Sequence, residues 1–263
     1  MGKRIVVKIG TSTITHETGM LNLKSVAEIS EVLSDLHNMG MEVIIVTSGA
    51  VGAGMPKLGL LGKKLTIPEK QAAAAVGQSE LINIYRDNFA RYGKVVAQLL
   101  LTRDAVDIPQ LKFNVENTFN ELLSHGAIPI VNENDSVEIE ELEFGDNDTL
   151  SAYVAQFVSA DLLVILSDIK GFYDKNPYES PDASLIPVVY EITEEIKSMA
   201  GGAKSGTGGM ITKLAAAEIA NAADIDMVIA DGADPRILYR IASGQAVGTL
   251  FKATQKVRIS PLE

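Results

Sequence analysis

The sequence RIVVKIGTS, at residues 4–12, decides the fold, because a strand-like apolar run ends there in a polar cluster. The same arrangement occurs three more times: apolar runs at residues 43–46, 127–131 and 162–166 lead into polar clusters at residues 47–54, 132–135 and 167–171. In an open parallel α/β sheet, ligands bind in the crevice outside the carboxyl ends of the strands. Four such clusters in one chain therefore predict one composite site for a small molecule.

Helical patterns separate these runs. They predict helices at residues 22–40, 68–85, 114–124, 146–159, 211–222 and 235–242, a buried strand at residues 94–101 and another strand at residues 227–230. Alternating strands and helices predict an α/β fold, a three-layer αβα sandwich whose mostly parallel open sheet has helices on both faces. We expect one domain, residues 1–263. Residues 137–144 alternate apolar and acidic side chains and predict a β-hairpin or flap over the pocket.

The composition excludes several classes of protein. The 263 residues include no Cys, which rules out disulfides, thiolate catalysis and cysteine-ligated metals. The net charge of −11 argues against a nucleic-acid-binding surface, for which a basic patch is expected. No apolar stretch reaches the roughly 18 residues needed to span a bilayer, and the N-terminus lacks the apolar core of a signal peptide. We therefore expect a cytoplasmic protein that binds neither nucleic acid nor membrane.

A glycine-rich region, residues 201–213, precedes a predicted helix. Glycines let backbone N–H groups approach an anion closely, and the helix adds the positive end of its dipole. A mobile loop before a helix would have the same composition, so this pattern alone leaves both interpretations open. The sequence has neither a Walker A pattern nor a G-x-G-x-x-G pattern after the first strand.

Charged residues in the polar clusters are candidates for chemistry. Lys8 lies near the end of a strand that should be buried on both faces, where a charge is costly unless it is paired, bound to an anion or able to reach solvent. Residues 145–149, Gly-Asp-Asn-Asp-Thr, place two carboxylates and an amide at a helix start, which is more than an N-cap requires. The three histidines share no motif, and no Ser-His-Asp set or metal site can be proposed from them. Lysines, glycines, carboxylates and amides without a histidine base suit phosphoryl transfer, which depends on positioning and charge neutralisation.

Six motifs together resemble those of the amino acid kinase family. They are VVKIGTS at residues 6–12, TSGA at 47–50, NEND at 132–135, GDND at 145–148, SDIKGFY at 167–173 and GTGGMITK at 206–213. The resemblance runs from about residue 3 to Phe251, and its NEND and GDND pair favours glutamate over acetylglutamate, aspartate, carbamate or UMP as the substrate. It implies phosphoryl transfer from ATP to the side-chain carboxylate of L-glutamate, giving γ-glutamyl phosphate, the first step of proline biosynthesis.

The resemblance also implies which residues carry the chemistry. Lys8 and Lys213 would neutralise charge on the transferring phosphoryl group, helped by backbone N–H groups at Gly10 and Gly49 and by Mg²⁺ on the phosphates. Asp148 would orient the two lysines through charge-assisted hydrogen bonds. No general base is needed, because a free glutamate side chain has a pKa of roughly 4.3 and is ionised at pH 7.

The same resemblance divides the ligands between two halves of the domain, about residues 1–160 for glutamate and about residues 161–255 for the nucleotide. Asp135 would receive the α-ammonium group, Ser48 and Asn147 would hydrogen-bond the carboxylates, and Gly49 would complete this side. The nucleotide side would comprise Lys8, Gly10, Ser167, Asp168, Thr207, Gly208, Gly209, Met210, Ile211, Thr212 and Lys213.

Two alternatives remain open at this point. A non-catalytic sensor could bind an amino acid or nucleotide on the same fold, although it should have lost a lysine or the organising Asp. A kinase of the same family could act on another carboxylate or on a carbamate.

The sequence departs from the family pattern in two places. Ser167 stands where the family usually has Thr, which keeps the hydroxyl, and the C-terminal RNA-binding-like (PUA) domain of many bacterial members does not follow Phe251. We therefore expect intact catalysis, with assembly and regulation that differ from those members. We also expect a homo-oligomer, either a dimer or a tetramer, and inhibition by proline at a site that overlaps the glutamate site.

Overall fold

The structure is a computed structural model that describes residues 3–137, 147–200 and 209–253. The strands in these residues are β1 Arg4–Ile9, β2 Glu42–Thr47, β3 Val96–Leu101, β4 Ile128–Glu133, β5 Leu162–Ser167, β6 Val188–Val189, β7 Asp226–Asp231 and β8 Thr249–Phe251. They form one sheet in the order β3-β4-β2-β1-β5-β7-β8-β6.

The direction of the strands creates a crevice beside β1. The six strands from β3 to β7 in the sheet are parallel, whereas β8 runs antiparallel to β7 and β6 runs parallel to β8. From the centre, β2, β4 and β3 extend to one side of β1, and β5 and β7 extend to the other. Ligands of parallel α/β sheets bind where the strand order reverses in this way. The strand order therefore favours the carboxyl ends of β1 and β5 as the location of a site.

The helices of the described residues connect these strands. They are α1 Thr11–Ile14, α2 Leu23–Asn38, α3 Ala50–Lys57, α4 Ile67–Ala90, α5 Asp104–Asp107, α6 Pro109–Ser124, α7 Asn147–Phe157, α8 Glu194–Ala200, α9 Met210–Ala222 and α10 Ile237–Ala242. Asn22 caps α2 as predicted, since its side-chain oxygen accepts a hydrogen bond from the backbone N–H of Ser25 at 3.2 Å. Among these helices, none is both long and apolar enough to span a bilayer.

Successive side chains of the central strands face opposite layers of helices. Val6 and Leu163 belong to a core that also contains buried residues of α6, α7 and α9. Val7 and Val164 belong to a second core with buried residues of α2, α4 and α10. Two cores on either side of one sheet confirm the predicted three-layer αβα sandwich.

The structure corrects the sequence prediction at several elements. The strand predicted as buried, now β3, lies at the edge of the sheet, where β4 is its one neighbour among the described strands, and its Leu100 is 39% exposed. Helix α6 begins at Pro109, five residues before the prediction, because proline suits a first helical turn. The short strands β6 and β8 were not predicted. Residues 138–144 of the predicted hairpin lie outside the described residues.

Candidate active site

The start of α7 brings two consecutive polar side chains, Asn147 and Asp148, against the ends of β1 and β2. Both side chains are at least nine-tenths buried. A carboxylate in the first turn of a helix is stabilised by the positive end of the helix dipole. The first turn of α7 therefore suits a buried charge, provided that cations complete its neutralisation.

Two lysines supply those cations. Lys8 Nζ lies 2.7 Å from Asp148 Oδ1, and Lys213 Nζ lies 3.1 Å from Asp148 Oδ2. The exposed fractions are 4% for Lys8, 6% for Lys213 and zero for Asp148. Two ammonium groups and one carboxylate leave one net positive charge, so this cluster can attract an anion into the crevice.

Local structure explains why these lysines meet. Alternation along β1 turns Lys8 to the same face as Val6, which is the face that α7 and α9 cover. Lys213 lies in the first turn of α9, which packs against α7. The hydroxyl of Thr212 lies 3.0 Å from Asp148 Oδ2, so the same turn supplies a neutral donor to the carboxylate.

The pKa of Asp148 lies below its usual value. Burial of the carboxyl raises its pKa, but the charges of Lys8 and Lys213 and their hydrogen bonds lower it by more. Asp148 is therefore ionised throughout the neutral range, as a group that holds two ammonium groups must be.

The neighbouring amide, Asn147, belongs to a separate network without charge. Its Nδ2 lies 2.8 Å from the Thr47 carbonyl oxygen, 3.0 Å from Ser48 Oγ and 3.0 Å from Asn132 Oδ1. Asn132 in turn donates from its Nδ2 to Gln78 Oε1 at 2.8 Å. A chain of amides therefore links α7 to β2, to the end of β4 and to α4.

A cavity of about 530 Å³ opens beside Lys213, on the side of β5. Ser167 and Asp168 line it where β5 ends, and Gly209, Met210 and Lys213 line it at the start of α9. Its other walls include aromatic and apolar side chains, among them Phe172, Tyr173, Pro177, Tyr178 and Met199. This volume and mixture of apolar walls with a few polar groups are typical of pockets for small molecules.

A second cavity, of about 320 Å³, lies on the other side of the sheet's centre. Asp135 and Ser136, which follow β4, line it together with Gln78 of α4 and Ala50 at the start of α3. Gly49, just before Ala50, has a φ of +96°, a left-handed conformation that favours glycine. The TSGA motif therefore turns sharply from β2 into α3 beside this cavity.

The structure brings most of the predicted residues to one edge of the sheet, in the two groups described above. The backbone N–H of Gly10 differs from expectation: it donates to the Leu166 carbonyl at 3.2 Å, so this donor is already used within the fold. Ile211, which was expected on the nucleotide side, has a largely exposed side chain, at 62%. Thr207 and Gly208 lie outside the described residues.

Several residues that line or support the site were not predicted. Asn132 belongs to the quoted NEND motif, but its role as a bridge between amides was not recognised. Tyr173 belongs to the quoted SDIKGFY motif, but its place in the cavity wall was not recognised. Gln78 and Tyr178 lie outside the quoted motifs, and each becomes part of the site through the fold. A buried glutamine in an alanine-rich helix is the one feature that could have indicated Gln78.

Comparisons with known proteins agree with this geometry. The sequence profile of the amino acid kinase family matches residues 3–231. A glutamate 5-kinase of Clostridium perfringens is 54% identical over 257 residues, which cover 95% of this chain and 96% of that protein. A glutamate 5-kinase of Listeria monocytogenes is 51% identical over 264 residues, with 98% and 95% covered.

Solved structures share the fold at low sequence identity. The carbamate kinase of Giardia lamblia bound to AMP-PNP has a TM-score of 0.69 at 17% identity, covering 96% of this chain and 99% of that one. The UMP kinase of Bacillus anthracis has a TM-score of 0.65 at 15% identity, covering 95% and 96%. These similarities bear on the arrangement of strands and helices alone.

Proposed function

The chain belongs to the amino acid kinase family, and we propose that it phosphorylates the side-chain carboxylate of L-glutamate with ATP. The product is γ-glutamyl phosphate, and the reaction is the first step of proline biosynthesis. Relatives named glutamate 5-kinase, 51% and 54% identical over nearly the whole chain, support this function. Within the structure, the observation that carries it is the buried cluster of Lys8, Asp148 and Lys213.

The cluster meets the main requirement of this reaction, which is to bring a carboxylate up to a polyphosphate. Both reactants are anions, and the transition state spreads charge over the transferring phosphoryl oxygens. Lys8 and Lys213 would stabilise that charge, and Asp148 would hold both ammonium groups in place before the reactants arrive. The substrate carboxylate is ionised at pH 7, so the reaction needs no base to activate it.

The amino acid side of the site is proposed to lie near β2 and β4. Asp135, half-buried in the second cavity, would pair with the α-ammonium group. Ser48 Oγ accepts a hydrogen bond from Asn147, and a hydroxyl that accepts one bond can still donate its own hydrogen to a substrate carboxylate. Gly49 would let the backbone pass close to the ligand.

The nucleotide side is proposed to be the 530 Å³ cavity beside β5 and α9. Tyr173 and Tyr178 offer aromatic faces for a purine ring. The start of α9, from Gly209 to Lys213, would direct backbone N–H groups and a lysine at the phosphates. Mg²⁺ usually binds through one or two carboxylates together with substrate phosphates, so we propose that it arrives with ATP. Asp168, which lines this cavity where β5 ends, is a candidate ligand.

Regulation and assembly follow as further proposals. Proline carries the α-carboxylate and the amine of glutamate without a group to phosphorylate, so it would compete at Asp135. Asp135→Ala should then raise the glutamate KM and the proline inhibition constant together, by about ten-fold or more. Inhibition that high glutamate does not relieve would place proline elsewhere. Exposed apolar side chains in β3 and just before it, Leu100 and Val95, support a homo-oligomer, either a dimer or a tetramer. The cytoplasmic location stays a prediction.

A substrate panel tests the proposed function. The protein is incubated with ATP, Mg²⁺ and hydroxylamine, which traps an acyl phosphate as a hydroxamate, and with glutamate, aspartate, acetylglutamate or carbamate in turn. We expect a glutamate-dependent hydroxamate together with ADP. A product with another acceptor, or none with glutamate, would contradict the proposal, and a Lys213→Ala sample controls for contaminating kinases.

A further inference from the structure

Helix α4 reaches the site through an unusually close contact with α3. A Cβ atom added at Gly77 would lie 1.8 Å from the Ala50 carbonyl oxygen, and one added at Gly54 would lie 1.9 Å from the Ala73 carbonyl oxygen. The two helix backbones therefore touch, and α3 itself starts at the TSGA turn. Gln78 follows Gly77 directly, so this contact fixes the position of Gln78 relative to the site.

Main-chain groups determine which way the amides of the network point. Asn132 Oδ1 accepts from the backbone N–H of Glu133 at 2.9 Å, so the other end of Asn132, its Nδ2, must face Gln78. The Thr47 carbonyl can only accept, so the Asn147 atom that lies 2.8 Å from it must be Nδ2. The orientation of both amides is therefore set by hydrogen-bond chemistry.

This orientation leaves one buried acceptor of the amide network unused. Asn147 Nδ2 has two hydrogens and already faces three acceptors, whereas Asn147 Oδ1 is buried and has no hydrogen-bond partner among the described residues. A buried acceptor without a partner is costly, so a ligand that supplies a donor gains affinity. The N–H donor of glutamate at neutral pH is its α-ammonium group. The geometry thus favours Asn147 as an acceptor for the ammonium, rather than the carboxylate donor expected from the sequence.

We propose that Gln78 is a positioning residue for amino acid recognition, which holds the Asn132 and Asn147 amides so that Asn147 Oδ1 faces the α-ammonium group. Gln78 is 8% exposed, and its Oε1 accepts the Asn132 Nδ2 hydrogen that would otherwise be buried without a partner. Without that acceptor, the buried Asn132 Nδ2 has no partner, so the Asn132 side chain gains by shifting toward another acceptor, and this shift displaces the Oδ1 atom that Asn147 Nδ2 faces. This inference rests on the proposed glutamate kinase function and adds a residue to its specificity.

The test measures steady-state kinetics of Gln78→Met, which keeps the length of the side chain and removes the acceptor. We expect the glutamate KM to rise about ten-fold, as expected for a buried donor left unpaired, with kcat and the ATP KM within about two-fold of wild type. Glutarate, which is glutamate without its amino group, should inhibit both proteins with the same inhibition constant. Gln71→Met, two turns earlier on α4, controls for replacing a glutamine with a methionine on this helix and should leave the glutamate KM unchanged.

Two results with Gln78→Met alone would overturn the inference: an unchanged glutamate KM, or a glutarate inhibition constant that rises in parallel with that KM. The third concerns the double variant. Because Gln78 acts through Asn147, the two changes should not be additive, so a Gln78→Met effect that persists undiminished in an Asn147→Ala background would also overturn it. If Gln78→Met does not fold, Gln78→Glu serves instead, because it keeps an acceptor oxygen and should hold the glutamate KM within about three-fold of wild type. A complete loss of glutamate binding in Gln78→Glu would contradict the role. A wild-type protein inactive on glutamate would refute the proposed function itself, whereas an active one with an unaffected variant refutes this inference alone.

Discussion

Two buried polar groups meet at the start of α7, and they are of opposite kinds. Asp148 holds Lys8 and Lys213 in a cluster of three charges, whereas its neighbour Asn147 belongs to a network of neutral amides with Asn132 and Gln78. One residue along the helix therefore separates the part of the site proposed to face phosphate from the part proposed to face the amino acid.

The difference between the two groups shows what each is suited to do. Burying ions costs several kcal/mol each, and their attraction repays this cost only when the geometry is excellent, so such a cluster is weak evidence for stability. A cluster of this kind is better explained by catalysis, where fixed charges stabilise a transition state. Neutral amides contribute about 1 kcal/mol for each hydrogen bond and specify direction, which suits recognition. Changes to the cluster should therefore lower kcat, and changes to the network should raise KM.

Lys213→Ala should have the largest effect. Removing one donor that stabilises transition-state charge typically lowers kcat by roughly 10²–10³-fold, and the glutamate KM should change far less. Initial rates of ADP release at saturating substrates measure this. Lys197→Ala is a matched control, because Lys197 pairs with Glu218 at 2.9 Å on the surface and should leave kcat unchanged. A variant that keeps a near wild-type kcat would remove Lys213 from catalysis.

Asp148→Asn should lower kcat by about 10²-fold, since a neutral amide of the same size cannot hold two ammonium groups in place. The circular dichroism spectrum should stay that of a folded protein, and the glutamate KM should change by less than about three-fold, because the Asn147 network is intact. Full turnover in this variant would mean that the carboxylate is a helix cap and that another group organises the lysines.

Two members of this cluster are local anomalies in the sequence, and the family resemblance adds Lys213 and its pairing with Asp148. Lys8 interrupts an apolar strand, and Asp148 is one carboxylate more than a helix start needs. The alternation of strands and helices likewise predicted the sandwich and the edge of the sheet at which the site lies. Such features depend on neighbours within a few residues, where propensity and periodicity are informative.

The amide network could not be predicted from the sequence, because its contacts join distant segments. Gln78 and Asn132 are 54 residues apart, and the neighbouring Gly77 lets α4 touch α3. The misassigned edge strand β3 has a related cause. An apolar run indicates a strand, but whether one or two neighbours flank it depends on the order of strands in the sheet.

The two groups should also respond differently to acid. The pKa of Asp148 lies below its unfolded value of about 3.8 because the lysine charges outweigh the effect of burial. Its contribution to stability is therefore present above the unfolded pKa and is lost as the pH falls through the lower, folded value. The difference in unfolding free energy between wild type and Asp148→Asn should be constant from about pH 7 to pH 5 and should shrink below about pH 4.

Urea denaturation at several pH values measures that difference. Gln78→Met removes no titrating group, so its difference from wild type should stay the same over this whole pH range. A Gln78→Met difference that shrinks in acid as the Asp148→Asn difference does would show that the two groups form one coupled network.

The smallest effect should come from Tyr85→Phe, two turns after Gln78 on the same face of α4. The Tyr85 hydroxyl lies 3.0 Å from Thr47 Oγ1, and burial of this fully enclosed side chain raises its pKa to about 12. Removing the hydroxyl should lower the free energy of unfolding by about 1 kcal/mol, the usual worth of one buried hydrogen bond. The glutamate KM should change by less than about two-fold, because Asn147 is held by the Thr47 carbonyl and the Thr47 hydroxyl still has the Ser48 carbonyl at 3.2 Å. Thermal unfolding and glutamate kinetics on the same preparation measure both values. A KM increase as large as that of Gln78→Met would mean that general packing of α4, rather than the direction of the amides, governs recognition of the amino acid.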